Sequence, residues 1–253
     1  FKYLGNYFDI HCGGVDHIPV HHPNEIAQAE AITGRPLSKY WVHFGFLLKN
    51  NEKMSKSSGG FVRVIDLINL KINPLAYRLF VLNTYYRKTA DFSIEAIQSS
   101  NNALNNLYAF SEKIKALKWL KLLRKIKFTN TKLNDKVLYN YYESFINALN
   151  DDLNTPKAIE ILWNMTNEIN KNLYSFNPVS VLKTLNEFDS VLSLDIVKHK
   201  TDKIPWKIKL LAKKRFILKK QKKFELADKI REQITNSGYQ INDYQTFYTI
   251  SKI

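Results

Sequence analysis

Apolar side chains recur at helical spacing through the middle of the chain, and this pattern constrains the fold more than any other feature. It predicts amphipathic helices over 93–117, 135–149, 155–170 and 177–192. Residues three and four apart share one face of a helix, so each apolar stripe is suited to a core rather than to cofactor binding. We therefore expect a mainly α-helical bundle. Its clearest stripe comprises Leu138, Tyr141, Tyr142, Phe145 and Leu149.

The first part of the chain is richer in chemistry, since five of the six histidines lie within the first 43 residues. A short strand is expected over 7–10, ending at a turn that contains Gly13 and Gly14. Open α/β sheets place ligand-binding groups where strands end. The two glycines would allow a ribose to approach the backbone, and Asp16 could accept hydrogen bonds from its hydroxyls.

A helix is predicted over 23–33, with Pro23 at its first position and Gly34 just past its end. His21 and Glu25 would then lie on the same side of the chain. An imidazole nitrogen and a carboxylate oxygen suit Zn²⁺, although two ligands do not complete a tetrahedral site. Alternatively, Glu25 complements the helix dipole and His21 caps or packs. The residues alone leave both interpretations open.

A short basic motif follows, in which two lysines and two serines precede a pair of glycines. Lysine is a point charge on a flexible stem, and serine and glycine let a loop close and reopen. The motif therefore predicts a mobile cationic clamp for a polyphosphate, the alternative being a solvated loop of the same composition. Its residues are Lys53, Met54, Ser55, Lys56 and Ser57, or KMSKS.

The order of these motifs resembles that of the cysteinyl-tRNA synthetases, which are class I aminoacyl-tRNA synthetases. FDIHCGGVDHIPVHHPNEIAQAEA is followed by KYWVHFGFL and then by EKMSKSSGG. The resemblance runs through the whole chain. It implies an α/β remnant of a class I Rossmann-type catalytic domain over 1–60, a linker over 61–92, a mainly α-helical bundle over 93–200 and a small α+β anticodon-binding domain over 201–253.

The resemblance also implies an ATP site. Lys53 and Lys56 would be catalytic, because their ammonium groups would neutralise the departing pyrophosphate of Mg²⁺-bound ATP. The chain begins at Phe1 and lacks the family's first signature (HIGH-like), so we expect the C-terminal half of a synthetase, inactive by itself. The ATP and adenylate contacts carried over are His11, Gly13, Gly14, Asp16, Lys53, Met54, Ser55, Lys56 and Ser57.

Zinc is implied as the group that selects cysteine over serine, because a thiolate binds the ion far better than an alcohol does. The family's histidine and glutamate ligands fall on His21 and Glu25. Its two cysteine ligands would precede Phe1, and Cys12 is not at a ligand position. With only two ligands present, we expect little or no stoichiometric zinc in this chain.

Trp41 and His43 would line the amino-acid pocket by the same resemblance, with His11 close to the metal. Both residues alternate along a strand expected over 40–48, so they would suit core positions equally well. The sequence therefore leaves open whether Trp41 and His43 line the amino-acid pocket or belong to the core.

Further motifs of the family follow the KMSKS string. Short helices are expected over 66–70 and 74–83, the second capped by Asn73 with Pro74 first. An HYR-like string falls on Tyr85, Tyr86 and Arg87. A DDFNTP-like motif begins at Asp151, and Thr155 is predicted to cap the next helix.

The last part of the chain is basic. A helix with one apolar and one cationic face is expected over 207–223, and strand-like sequence over 239–250. Arginine forks, an aromatic ring and carboxylates are the groups that unstacked loop bases require. The family's anticodon contacts fall on Arg215, Lys219, Phe224, Asp228, Arg231 and Asp243.

Composition agrees with this reading. The net charge of +15 favours a polyanionic partner such as tRNA, although an AT-rich genome would also enrich lysine. One cysteine fits a reducing cytoplasm, and no apolar run is long enough to span a membrane. The expected partners are tRNA(Cys), L-cysteine and ATP, and the expected oligomeric state is a monomer.

Three functions compete. The favoured one is part of a ligase that activates cysteine with ATP and transfers it to the 3′ end of tRNA(Cys). A related ligase joining cysteine to a small amine would share the scaffold, but such relatives lack the anticodon domain. A non-catalytic, basic, helical RNA-binding protein would explain the charge and leave the motifs unexplained.

Overall fold

The computed structural model describes residues 2–49, 62–123, 128–129, 131–199, 204–244 and 246–252, with the backbone alone described at 52, 53 and 131. The chain divides into two compact units. The first contains Phe1–Leu104 and Glu143–Trp163, and the second contains Asn105–Tyr142 and Asn164–Ile253. The domain limits predicted at 60, 92 and 200 stay predictions.

The first unit begins with a βαβ arrangement. Strand β1 (Phe8–Gly14) leads through a single 3₁₀ turn (Val15–His17) to helix α1 (His21–Thr33), and strand β2 (Ser38–Phe44) pairs with β1 in parallel. The strand predicted over 7–10 thus continues through both glycines. Helix α1 starts two residues before the predicted Pro23, which is tolerated because the first-turn N–H groups have no partner within the helix.

A second, three-stranded sheet follows in the order β4-β3-β5. Strands β3 (Leu47–Lys49) and β4 (Glu52–Lys53) are antiparallel, and β5 (Ala90–Phe92) runs parallel to β3. The single strand predicted over 40–48 is therefore wrong, because the chain leaves β2 at Gly45. A Cβ atom at Gly45 would lie 2.3 Å from the carbonyl oxygen of Lys88, so the close approach of the two segments requires glycine there.

Two short helices connect these strands, α2 (Val64–Asn69) and α3 (Pro74–Leu82). The predicted cap of α3 is confirmed, since the Asn73 side chain accepts a hydrogen bond from the Leu75 N–H at 2.9 Å. Pro74 occupies the first helical position, where its missing N–H costs nothing.

The predicted helical bundle is present as α4 (Ile94–Leu122), α5 (Thr131–Asn150), α6 (Thr155–Lys171) and α7 (Pro178–Leu192). Of the predicted stripe on α5, Leu138 and Phe145 are buried and the other three side chains are half-buried. The predicted cap of α6 is wrong by one residue. Asn154, not Thr155, accepts a hydrogen bond from the Lys157 N–H, at 3.3 Å.

The chain ends in a small α+β region, in which α8 (Trp206–Lys220) and α9 (Phe224–Asn236) pack on a hairpin of β6 (Tyr239–Asp243) and β7 (Tyr248–Lys252). The helix predicted over 207–223 stops at Lys220. The core of this region consists of Ile208, Ala212, Ile230, Ile234 and Ile241. Among the described residues, no helix combines the length and apolarity needed to cross a membrane.

Candidate metal centre and nucleic-acid interface

Three histidines surround the carboxylate of Glu25 in the βαβ arrangement. His11 Nε2 lies 2.9 Å from Glu25 Oε2, His21 Nε2 lies 3.4 Å from Oε1, and His22 Nε2 lies 3.9 Å from Oε2. His21 and His22 reach Glu25 because they precede it by four and three residues on α1. His11 reaches it from β1. We name these four residues the histidine–glutamate cluster.

The cluster fits a metal ion such as zinc. His11, His22 and Glu25 each offer a ligand atom, and these atoms all lie within 4.8 Å of one another. His22 Nε2 is buried and has no hydrogen-bond partner among the described residues. A buried polar atom without a partner costs about 1–3 kcal/mol, which coordination would offset. Nitrogen and carboxylate oxygen are also the atom types that zinc accepts alongside thiolate.

His22 is held by a second histidine. Its Nδ1 lies 2.8 Å from Nε2 of His43, and its side chain is almost fully buried. Burial lowers the pKa of His22, and the neighbouring His11 and His43 lower it further. The neutral ring carries a proton on one of its two nitrogens. When this proton is on Nδ1 and forms the hydrogen bond to His43, the lone pair of Nε2 faces the cluster.

Strand pairing explains why β2 contributes to this site. The parallel register sets Trp41 opposite His11 and His43 opposite Gly13. The Trp41 ring centroid lies 4.6 Å from that of His11 and 4.8 Å from that of His22. Trp41 and His43 therefore lie beside the cluster. Their contact with a substrate stays a prediction.

The glycines of β1 lie close to neighbouring side chains. A Cβ atom at Gly13 would lie 2.6 Å from the His22 ring, and one at Gly14 would lie 2.3 Å from Asp16 Oδ1. A side chain at Gly13 would have to displace the His22 ring, and one at Gly14 would have to displace the Asp16 carboxylate. The proposed approach of a ribose to Gly13 and Gly14, and the role of Asp16, stay predictions.

The basic motif falls largely outside the described residues. Lys53 ends β4, where its backbone pairs with Leu48. Met54, Ser55, Lys56 and Ser57 lie beyond the part of the chain that the structure describes. The predicted phosphate clamp is therefore neither placed nor contradicted.

The HYR-like string is joined to the turn between α5 and α6 by one carboxylate. Asp152 accepts hydrogen bonds from the hydroxyls of Tyr85 and Tyr86, the latter at 2.8 Å, and lies 2.9 Å from Arg87 Nη2. The hydrogen bond from Tyr85, followed by that from Tyr86, holds the pKa of Asp152 below its usual value. The same Tyr85 bond raises the pKa of that tyrosine to about 12. Two motifs that are 66 residues apart in the sequence thus form one contact.

The predicted anticodon residues separate into two groups. Arg215 is buried, and its Nη1 lies 2.7 Å from both carboxylate oxygens of Asp243, while Lys219 Nζ lies 2.8 Å from Asp243 Oδ2. Burial alone would raise the pKa of Asp243, but hydrogen bonds from Arg215 and Lys219 lower it below its usual value. Arg215 is thus bound inside the protein rather than presented at the surface.

The second group is exposed on α9. Phe224, Asp228 and Arg231 all face solvent, with Phe224 57% exposed. Their spacing of four and three residues places them in one row along the helix. A ring, a carboxylate and a guanidinium in one exposed row can stack on and hydrogen-bond to unpaired bases.

The chain was compared with known protein families. Residues 1–102 match the family model described as the tRNA synthetases class I (C) catalytic domain, and residues 144–196 match the DALR domain. Cysteine–tRNA ligase of Caldicellulosiruptor saccharolyticus is 39% identical over 249 residues, and that of Thermococcus gammatolerans is 39% identical over 261 residues. Each alignment covers 96% of this chain and 52% of the relative. The chain thus spans about half the length of these curated relatives.

Solved structures show the same fold at lower identity. The leucyl-tRNA synthetase of Agrobacterium radiobacter K84, in a ternary complex with tRNA, aligns with a TM-score of 0.56 at 14% identity, covering 74% of this chain and 26% of that chain. Methionyl-tRNA synthetase of Mycobacterium tuberculosis, bound by methionyl-adenylate, aligns with a TM-score of 0.50 at 21% identity, covering 75% and 39%.

Residues 1–102 thus match the catalytic domain of class I aminoacyl-tRNA synthetases, and the solved structures share the fold of that class. This confirms the predicted fold class. The curated relatives that align over 96% of this chain are cysteine–tRNA ligases, so the resemblance found in the sequence is also confirmed.

Proposed function

We propose that this chain is part of an ATP-dependent ligase that activates L-cysteine as the adenylate and transfers it to the 3′ end of tRNA(Cys). The observation that carries this proposal is the histidine–glutamate cluster between β1 and α1, in a chain whose relatives are cysteine–tRNA ligases. The reaction requires a pocket for cysteine, a site for Mg²⁺-bound ATP and a surface for tRNA. We assign residues to each.

His21 and Glu25 would hold zinc, with the remaining ligands supplied outside this chain. Bound zinc would supply selectivity for a thiolate over an alcohol. His11 and His22 lie against the same carboxylate and could ligate or orient Glu25. His43 fixes the ring of His22 through the 2.8 Å contact, as outer-shell groups do at metal sites.

Trp41 would close one side of the cysteine pocket. Its ring packs against His11 and His22 and would shield that side of the cluster from water. Low water content strengthens electrostatic interactions with the substrate. We assign Trp41 and His43 to the amino-acid pocket on this basis.

ATP would lie across the ends of β1 and β2. Gly13 and Gly14 provide half-buried backbone without side chains, and Asp16 follows them in the 3₁₀ turn. Lys53 and Lys56 would neutralise the negative charge that develops on pyrophosphate. Catalysis of this kind depends mainly on placing positive charges correctly. The residues assigned to ATP and adenylate binding also include His11, Met54, Ser55 and Ser57.

The C-terminal region would read the anticodon of tRNA(Cys). The exposed row of Phe224, Asp228 and Arg231 supplies the direct contacts, and Lys219 lies at the edge of the same region. Arg215 would act by positioning Asp243. The net charge of +15 favours association with the polyanion. We expect a monomer in the cytoplasm.

The test is binding to a tRNA transcript with a GCA anticodon, compared with a transcript that differs only at one anticodon base. Measurements are made at near-physiological salt, where sequence-independent attraction is weaker. We expect roughly five- to 150-fold tighter binding to the GCA transcript, since one mismatched base contact costs about 1–3 kcal/mol. Equal binding of the two transcripts would contradict the proposal and favour a general RNA-binding protein.

A further inference from the structure

A polar cleft of about 490 Å³ lies between α4 and the outer face of the C-terminal hairpin, within the second unit. It is separate from the histidine–glutamate cluster, which belongs to the first unit. It is also separate from the exposed row of α9, none of whose residues lines it. None of the residues assigned above to ATP, cysteine, zinc or the anticodon contributes to it.

The hairpin register explains why one face of the hairpin is polar. Ile241 pairs with Ile250, and both pack on the core formed with α8 and α9. Side chains alternate between the two faces of a strand, so the next residues along point the opposite way. The pairs on that opposite face are Gln240 with Ser251 and Asn242 with Thr249, and all four residues line the cleft.

Helix α4 supplies the facing wall. Asn105 and Asn106 lie on it, followed one to two turns later by Glu112, whose carboxylate accepts a hydrogen bond from Lys115 at 2.7 Å. The cleft therefore has carboxamide groups on both walls. The side-chain amides of Asn105, Asn106, Gln240 and Asn242 form no hydrogen bond with another described residue.

One further polar atom is left without a partner. The hydroxyl oxygen of Ser251 is buried and lacks a hydrogen-bond partner among the described residues. Buried hydroxyls are normally hydrogen-bonded, because desolvation without a partner costs about 1–3 kcal/mol. The wall of the cleft thus carries hydrogen-bonding groups that have no partner within the described part of the chain.

The lining indicates the class of ligand. Carboxamides and hydroxyls both donate and accept, whereas the described lining contains no pair of cations that would hold a phosphate or carboxylate. Aromatic side chains also contribute, since Tyr239 lines the cleft beside Tyr108 and His199, whose rings stack at 3.7 Å. A flat neutral group with several donors and acceptors along its edge matches these walls, and the volume suits a group of nucleoside size.

We propose that this cleft binds the base of an unstacked nucleotide from single-stranded RNA. Asn and Gln amides pair with the donor and acceptor atoms on base edges, and aromatic rings provide a stacking surface. This inference rests on the tRNA binding proposed above and adds a base-binding subsite on the face of the hairpin opposite the Arg215–Asp243 pair. It assigns Asn106, Gln240 and Asn242 as base contacts.

The experiment uses the GCA transcript and a series in which each unpaired nucleotide in turn is replaced by an abasic residue. Outside the anticodon, we expect a single abasic position to weaken binding by the wild-type chain, and the other positions to have no effect. The loss should be about tenfold, which is the usual effect of removing one stacked base. Asn242→Ala and Asn106→Ala should each weaken binding of the intact transcript at least threefold. At that abasic position these variants should cause no further loss, because the lost contact is the same.

Asn140→Ala serves as the control, because Asn140 is an exposed asparagine on α5 outside the cleft. Circular dichroism checks that all variants are folded. If the GCA transcript shows normal preference but the cleft variants and the abasic series leave its affinity unchanged, the base-binding proposal alone is overturned. If no transcript binds, this proposal and the proposed function both fail.

A free mononucleotide has the same base chemistry, so each nucleoside monophosphate is titrated separately. We expect no saturation below millimolar concentration, since a single base offers few contacts without the rest of the RNA. Saturation at micromolar concentration that Asn242→Ala abolishes would show a mononucleotide site and would overturn the assignment to RNA.

Discussion

Nη1 of Arg215 lies 2.7 Å from each carboxylate oxygen of Asp243, although only 2% of the arginine side chain is exposed. The arginine belongs to α8 and the aspartate to the end of β6, so one ion pair joins a helix to the hairpin. Lys219, one helical turn after Arg215, also contacts Asp243. The pair therefore fixes the position of the hairpin on the helices.

Replacing Arg215 with alanine should destabilise the second unit strongly. The change leaves the Asp243 carboxylate partly buried with only the exposed Lys219 as a partner, and breaking a buried pair in this way typically costs about 3–5 kcal/mol. Urea unfolding followed by circular dichroism measures the loss. Arg231→Ala is the matched control, because Arg231 is exposed and should change stability by no more than about 0.5 kcal/mol. Equal effects of the two changes would contradict a structural role for Arg215.

Because the ammonium group of Lys113 is buried, the free energy of unfolding should change with pH in the alkaline range. Burial lowers its pKa from 10.5 to about 8, while it bonds to Asn170 and lies over the rings of Phe110 and Tyr244. Between these pH values the unfolded chain holds the proton and the folded chain does not, so stability rises with pH through this window. Below pH 8 both states are protonated and this contribution is constant.

Lys113→Met tests this linkage because it removes the proton without removing the side-chain volume. From pH 7.5 to pH 10.5 the wild-type chain should gain roughly 1–3 kcal/mol of stability relative to the Lys113→Met variant. Chemical unfolding at several pH values measures the difference. Lys118→Met, at an exposed position on the same helix, should show no such trend. If the difference in unfolding free energy between the wild-type chain and Lys113→Met does not change with pH, the lowered pKa of Lys113 is contradicted.

Asp228→Ala should abolish the preference for the GCA anticodon while leaving bulk RNA affinity nearly unchanged. Asp228 is exposed in the row with Phe224 and Arg231, and its carboxylate can accept hydrogen bonds from base amines. Anisotropy titrations with the matched pair of transcripts measure the preference. Glu232→Ala removes the same charge at another exposed position of α9 and should keep it. An unchanged preference in Asp228→Ala would reject the anticodon assignment.

Zinc binding should depend on Glu25. The sequence suggested two ligands and little bound metal, but His11 and His22 also face this carboxylate. We therefore expect one weakly held zinc per chain, with Glu25→Gln lowering the affinity at least tenfold. Competition with a chromophoric chelator measures the affinity. Glu30→Gln, at an exposed position of the same helix, should have no effect, and equal affinities for both variants would exclude Glu25 as a ligand.

The sequence by itself determined the features that depend on near neighbours. Apolar spacing predicted the helices of the bundle, and Asn73 followed by Pro74 predicted the cap of α3. The motifs from His11 to Glu25 carried the family resemblance. These features are readable because periodicity and capping involve residues only a few positions apart.

Only the tertiary structure decided which distant residues meet. The strand predicted over 40–48 is interrupted at Gly45 because another segment of backbone passes against it. His43 meets His22 through the register of β2 on β1 and the packing of α1, and Arg215 meets Asp243 because the hairpin folds back on α8. No local pattern encodes such pairings, since strand register and the packing of distant elements are set by the whole fold.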